Sequence, residues 1–90
     1  MKNTAINAAD YHDILEIHEA LARDLEFPDY YGKNLDALHD VLTEPDDEIR
    51  IEISLKGLTD PAMTHAILDM INVIMDAEEE NQDLELIVRQ

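Results

Sequence analysis

The sequence predicts an α/β fold, a two-layer sandwich with a three-stranded parallel sheet covered by helices. Short segments of alternating polarity are separated by longer segments of helical period, in the order β-α-α-β-α-β. Strands separated by helices read as parallel neighbours joined by right-handed crossovers. Ile49, Ile51, Ile53 and Leu55 alternate with Arg50, Glu52 and Ser54, so one face of that strand packs on helices and the other is less buried. The chain has 90 residues, enough for one core and not two, which makes residues 1–90 a single domain.

Taken in order, Lys2 to Asn7 is expected as a first strand, with Thr4 and Ile6 on one side and Ala5 on the other. Asp13 stands as an N-cap, and Glu16 follows it at capping-box spacing. From Ile14 to Leu25, the residues Ile14, Ile17, Leu21 and Leu25 recur at helical period, with Leu15 and His18 at the edges of the stripe. Pro28 stops any continuation. Phe27 to Lys33 reads as a loop in which Gly32 supplies a backbone conformation that other residues resist. Asn34 caps a second helix, with Leu35, Leu38 and Leu42 on one side, ending near Thr43 ahead of Pro45. Glu44 to Glu48 is a short, very acidic connection to the strand that starts at Ile49.

Gly57 to Asp60 is a turn, and Asp60-Pro61 is a cap followed by proline at the first helical position. The helix from Pro61 to about Asn81 puts Met63, Ile67, Met70, Ile71, Ile74 and Ala77 on one face. Asp69, Asn72, Asp76 and Glu80 fall on the other, and Asn81 serves as the C-terminal cap. Leu84, Leu86 and Val88 alternate with Glu85, Ile87 and Arg89 in a last strand.

Charge is the outlying property: 22 acidic against 6 basic residues, a formal net charge of −16. Phosphates need Lys and Arg, so direct binding of nucleic acid or of an anionic membrane is excluded as an expectation. A basic partner fits, as does plain solubility, because net charge speaks to association and not to fold. Without cysteine there is no disulfide or thiol chemistry. No apolar leader or span of about 20 residues is present, so the expected location is the cytoplasm.

Asp36 and Asp40 stand four apart, opposite the leucine side of the second helix, with His39 beside them. Like charges at that spacing weaken a helix by roughly 0.2–0.5 kcal/mol, which hints that something outside the chain uses the negative face. Catalysis by the pair would need an apolar pocket to raise one carboxyl, and none is evident, so no enzyme is expected. Asp36, His39 and Asp40 could be metal ligands on one turn, yet a fourth ligand is not apparent and no cofactor or dedicated metal site is expected. One of Tyr30 and Tyr31 should pack in the core and anchor the loop, and Tyr31 is the better candidate. Tyr30, Asn34, Asp36 and Asp40 would form a compact acidic patch, extended by Asp76 and Glu80 if the last helix lies alongside. Such carboxylates accept charge-assisted hydrogen bonds from Arg or Lys and can fill a cationic, phosphate-binding cleft.

The run Tyr30-Tyr31-Gly32-x-Asn34-Leu35-Asp36-Ala37-Leu38-x-Asp40-x-Leu42, with Met1-Lys2 and Ala5-Ile6-Asn7 at the start, closely resembles the barstar family, intracellular inhibitors of barnase-like ribonucleases. The resemblance spans nearly the whole chain, with one short deletion near Pro45 to Glu48. It implies a three-stranded parallel sheet covered by helices. It also implies a partner, a basic ribonuclease of guanyl-type specificity, met by a free monomer. By the same resemblance Tyr30, Gly32, Asn34, Asp36, Asp40, Asp76 and Glu80 match positions at or near the ribonuclease interface, and Asp40 matches the one that takes the place of a substrate phosphate. His39 stands where the family has a tryptophan, Pro45 aligns near another, and Asp76 stands where a family member has Glu. These departures imply a different barnase-like ribonuclease, or more electrostatic and weaker binding. The competing class is an acidic interaction or assembly domain with no nuclease target.

Overall fold

A computed structural model describes residues 1–44 and 48–90. Its strands are β1 (Lys2–Asn7), β2 (Ile49–Ser54) and β3 (Leu84–Arg89), and its helices α1 (Ile14–Asp24), α2 (Leu35–Thr43) and α3 (Pro61–Glu80). A 3-10 turn at Ala8–Asp10, not expected from the sequence, follows β1 and has Asn7 as its cap. The sheet has the order β1-β2-β3 and both pairings are parallel. In register, Thr4 pairs with Ile51 and Ile51 with Leu86, while Ile6 pairs with Ile53 and Ile53 with Val88.

Alternation explains which face is covered. Thr4, Ile6, Ile49, Ile51, Ile53 and Leu84 are buried beneath the helices. The expected face of α3 is buried in full: Met63, Ile67, Met70, Ile71, Ile74 and Ala77. Parallel sheets are usually covered on both sides, but here the second face is polar. Arg50 reaches Glu85 across the strands at 3.2 Å, and Arg89 reaches Glu52 at 2.8 Å. On the covered face the buried hydroxyl of Thr4 donates to Asp24 at 2.6 Å. That bond holds the Asp24 carboxyl below its ordinary range.

The caps follow the sequence with informative differences. Asp13 accepts from the Glu16 N–H at 3.0 Å, but Glu16 reaches back to the N–H of His12, one residue before the cap. α1 stops before Pro28 acts. Glu26 takes a left-handed φ of 57°, and the Phe27 N–H donates to the Ala22 carbonyl at 3.0 Å, a closure that usually employs glycine. Asp60 accepts from the Ala62 N–H with Pro61 at the start of α3. The turn between β2 and α3 contains Gly57 at φ 81° and no helix. Asn81 ends α3 in an extended conformation, φ −127°, instead of the left-handed one that asparagine often supplies.

Gly32 corrects one expectation. Among the described residues its φ is not positive; the left-handed residue is its neighbour Lys33, at 53°. Gly32 is small for a different reason. A Cβ there would stand 3.3 Å from both the Ala37 Cβ and the Asn34 Nδ2, crowding the first turn of α2 and its cap. The acidic connection at 45–47, including the Pro45 that aligns near a family tryptophan, lies outside the described residues.

A candidate partner-binding face

The loop between α1 and α2 is held from below. Tyr31 is 9% exposed. Its hydroxyl lies 2.7 Å from Nδ1 of buried His18, and its ring meets Phe27 edge-on at 4.9 Å. Burial lowers the pKa of His18 from 6.5 and pushes the Tyr31 phenol upward, so burial favours the neutral form of both groups and the hydrogen bond between them joins two uncharged rings. Lys33 ties the loop to α1 through Glu19 at 3.4 Å. Two left-handed non-glycine residues, Glu26 and Lys33, bracket this segment, each at a cost of order 1 kcal/mol.

Above that anchor, Tyr30 turns outward and is 84% exposed. Asn34 uses its side-chain oxygen to accept from the Ala37 N–H at 2.8 Å, so its polar group serves α2 itself. Leu38 and Leu42 are fully buried, which leaves Asp36 and Asp40 on the exposed side. Asp36 lies in the first turn of α2, where the helix dipole favours a negative charge. A groove of about 210 Å³ runs between the loop and α2, lined by Tyr30, Tyr31, Gly32, Asp40, Val41 and Glu44, with Pro28 and Ala37 at its walls.

α3 does lie alongside α2. His39 Nε2 is 2.5 Å from a carboxylate oxygen of Glu80, and the Asn81 side chain donates to the Leu42 carbonyl at 2.8 Å. Asp76 is exposed one turn before Glu80. The structure therefore brings Tyr30, Gly32 and Asp40 into one groove and sets His39 against Glu80. It leaves Asp36 and Asp76 on exposed helix faces beside them. Asn34 is a cap whose side chain is already engaged.

Two features escaped the sequence reading. Glu44 lines the groove from the C-cap of α2, and its signal was available: Asp36, Asp40 and Glu44 follow one another at i, i+4, i+8 spacing. The His39–Glu80 contact, by contrast, depends on how two helices meet. Among the described residues, no group of three or more His, Cys, Asp and Glu is placed to hold a metal ion, and no helix is long and apolar enough to cross a membrane.

A profile of the family described as Barstar (barnase inhibitor) matches residues 1–89. The chain belongs to the barstar family. A Bacillus subtilis (strain 168) protein bearing the name "Putative ribonuclease inhibitor YrdF" is 36% identical to it over 85 residues, covering 92% of each chain. The barstar family is one of inhibitors and not of enzymes, and it implies a ribonuclease as partner. The observed α/β architecture, three parallel strands in one sheet with three helices, agrees with that membership.

Proposed function

We propose that this chain is a cytoplasmic inhibitor of a basic, guanyl-type (barnase-like) ribonuclease, and that it plugs the active site as a monomer with acidic side chains that mimic phosphates. The observation that carries the reading is Asp40 in the groove beside Tyr30 and Glu44, with Asp36 one turn away on the same exposed face. An aspartate at that position accepts hydrogen bonds from the arginines and lysines that otherwise hold a substrate phosphate. Tyr30 supplies a large, exposed ring next to the charge, the kind of residue that excludes water from a charged contact. Family membership and the name of the Bacillus relative support a ribonuclease as the target class.

The net charge of −16 adds long-range attraction toward a cationic enzyme, which raises the association rate more than it tightens the final complex. Without the family tryptophan that His39 replaces, this inhibitor relies on steering more than on apolar anchoring, and its binding is the weaker for it.

The test is a titration of the purified protein against several guanyl-type ribonucleases, reading cleavage of a fluorescent RNA. Stoichiometric inhibition of at least one is expected. Association should slow as salt rises, since the Debye length falls from about 10 Å at 0.1 M to about 3 Å at 1 M. Folded protein that leaves every enzyme in the panel fully active would overturn the proposal, and an association rate indifferent to salt would remove the steering component.

A further inference from the structure

We infer that Glu80 is a positioning residue that acts through His39, and that it is not itself a contact to the ribonuclease; the inference rests on the inhibitor reading. Four acidic residues on this face were candidates for the partner. Among the described residues, the carboxylates of Asp36, Asp40 and Asp76 have no hydrogen-bond or ion-pair partner within the chain. Glu80 differs, because one of its oxygens is engaged by His39 Nε2 at 2.5 Å. Recruiting Glu80 to an enzyme's cation would give up that contact, whereas the other three carboxylates have no such bond to lose.

The contact also has a task to perform. α2 has nine residues, shorter than a helix that persists alone in water. It carries no basic residue in its last turn, where a cation would complement the dipole. Two side-chain links from the end of α3 make up for this. Asn81 satisfies the orphan carbonyl of Leu42 at 2.8 Å, and Glu80 grips His39 one turn earlier on α2. Together they fix α2 against α3, and so fix Asp40 relative to Asp76, which lies one turn before Glu80. Asp36 and Asp40 flank His39 in the sequence of α2, Glu80 meets it from α3, and Asp76 lies one turn before Glu80. The His39 imidazole therefore bridges two helices that negative charge would otherwise push apart.

A double-mutant cycle tests this, using the ribonuclease that the panel shows to be inhibited most strongly. Glu80→Ala and His39→Ala should each weaken inhibition by roughly two- to five-fold, the scale of one partly exposed side-chain hydrogen bond. The double variant should be no worse than either single one, because both remove the same contact. Glu80→Gln keeps a carbonyl that accepts from the imidazole N–H and should retain inhibition within about twofold, the scale of a neutral hydrogen bond partly replacing a charged one. Losses that multiply in the double variant, or Glu80→Gln as damaging as Glu80→Ala, would assign Glu80 to the partner instead and overturn the inference. Amide hydrogen exchange on the free protein provides an arm that needs no ribonuclease. Glu80→Ala and His39→Ala should each speed exchange of the α2 amides, and together no further. Unchanged α2 exchange in Glu80→Ala would refute the positioning role even if inhibition is real. If the exchange result holds while no enzyme is inhibited, the clasp stands as a fold feature and the partner assignment of this face fails.

Discussion

Tyr31 is 9% exposed and Tyr30 is 84% exposed, although they are adjacent in the chain and chemically identical. The same division runs along the whole segment from Pro28 to Glu44. On its inner side, Tyr31 meets His18 and Phe27, and Leu38 and Leu42 are sealed in the core. On its outer side, Tyr30, Asp40 and Glu44 line a groove, and Asp36 is exposed one turn before Asp40. Shape and desolvation govern the inner residues, so altering one leaves a cavity or an unsatisfied polar group. The outer carboxylates repel one another and contribute little to holding the fold. Their presence is easier to explain by what they meet than by what they stabilise.

The sharpest way to break that division is Leu38→Ala. With the side chain fully buried, the loss should be about 2–5 kcal/mol of stability in chemical denaturation. A loss comparable to that of a surface change would show that α2 is not seated as described.

The outer side is sharpened by comparing two aspartates of equal charge. Asp40 lines the groove, whereas Asp10 lies in the turn after β1. The neighbouring Ala9 adjoins Gly57 and the start of α3. α3 has 20 residues and is therefore about 30 Å long, with the candidate face at its far end. Asp40→Ala should weaken inhibition at least about tenfold more than Asp10→Ala, equivalent to about 1.4 kcal/mol, while circular dichroism stays unchanged for both. Equal inhibition constants would mean that bulk charge accounts for binding.

A pH experiment probes the inner side alone. Burial depresses His18 below 6.5, so the unfolded chain takes up that proton first as pH falls. The stability due to neutral His18 is full above about pH 6.5 and is lost as pH drops through the folded value. Tyr31 acts in the opposite direction. Its raised phenol contributes stability below its ordinary value of 10.0 that is lost at higher pH. Urea midpoints measured between about pH 7.5 and pH 5.5 should therefore fall more steeply for the wild type than for His18→Gln. Parallel slopes would place His18 outside the core.

The smallest expected effect belongs to Asp36→Ala. Relief of repulsion with Asp40 gains roughly 0.2–0.5 kcal/mol, and loss of a favourable charge in the first turn of α2 costs a similar amount. Stability should change by less than about 0.5 kcal/mol in the denaturation assay. A destabilisation approaching that of Leu38→Ala would erase the contrast between the two sides.

The legible part of this molecule is what local pattern controls. Period-two alternation in Ile49–Ser54 and the helical stripe from Met63 to Ala77 mark the buried faces, because burying an apolar side chain is the largest favourable contribution and its spacing is written in the chain. Asp13, Asn34 and Asp60 were readable as caps because a cap satisfies backbone groups only two or three residues away. The spacing of Asp36, Asp40 and Glu44 is equally local, although α2 ends at Thr43, as expected, and Glu44 reaches the groove from its C-cap.

Other features depended on how distant segments meet. Lys33, and not Gly32, carries the left-handed turn, and Gly32 instead allows the close approach of Ala37 and Asn34. His39 meets Glu80 across 41 residues of sequence, and Asn81 caps a helix other than its own. Sequence spacing alone determined which faces of each helix are apolar and which are charged. Only the tertiary structure decided which carboxylates remain free to meet a partner, because a side-chain contact between helices depends on their crossing and axial offset, and no local period encodes either.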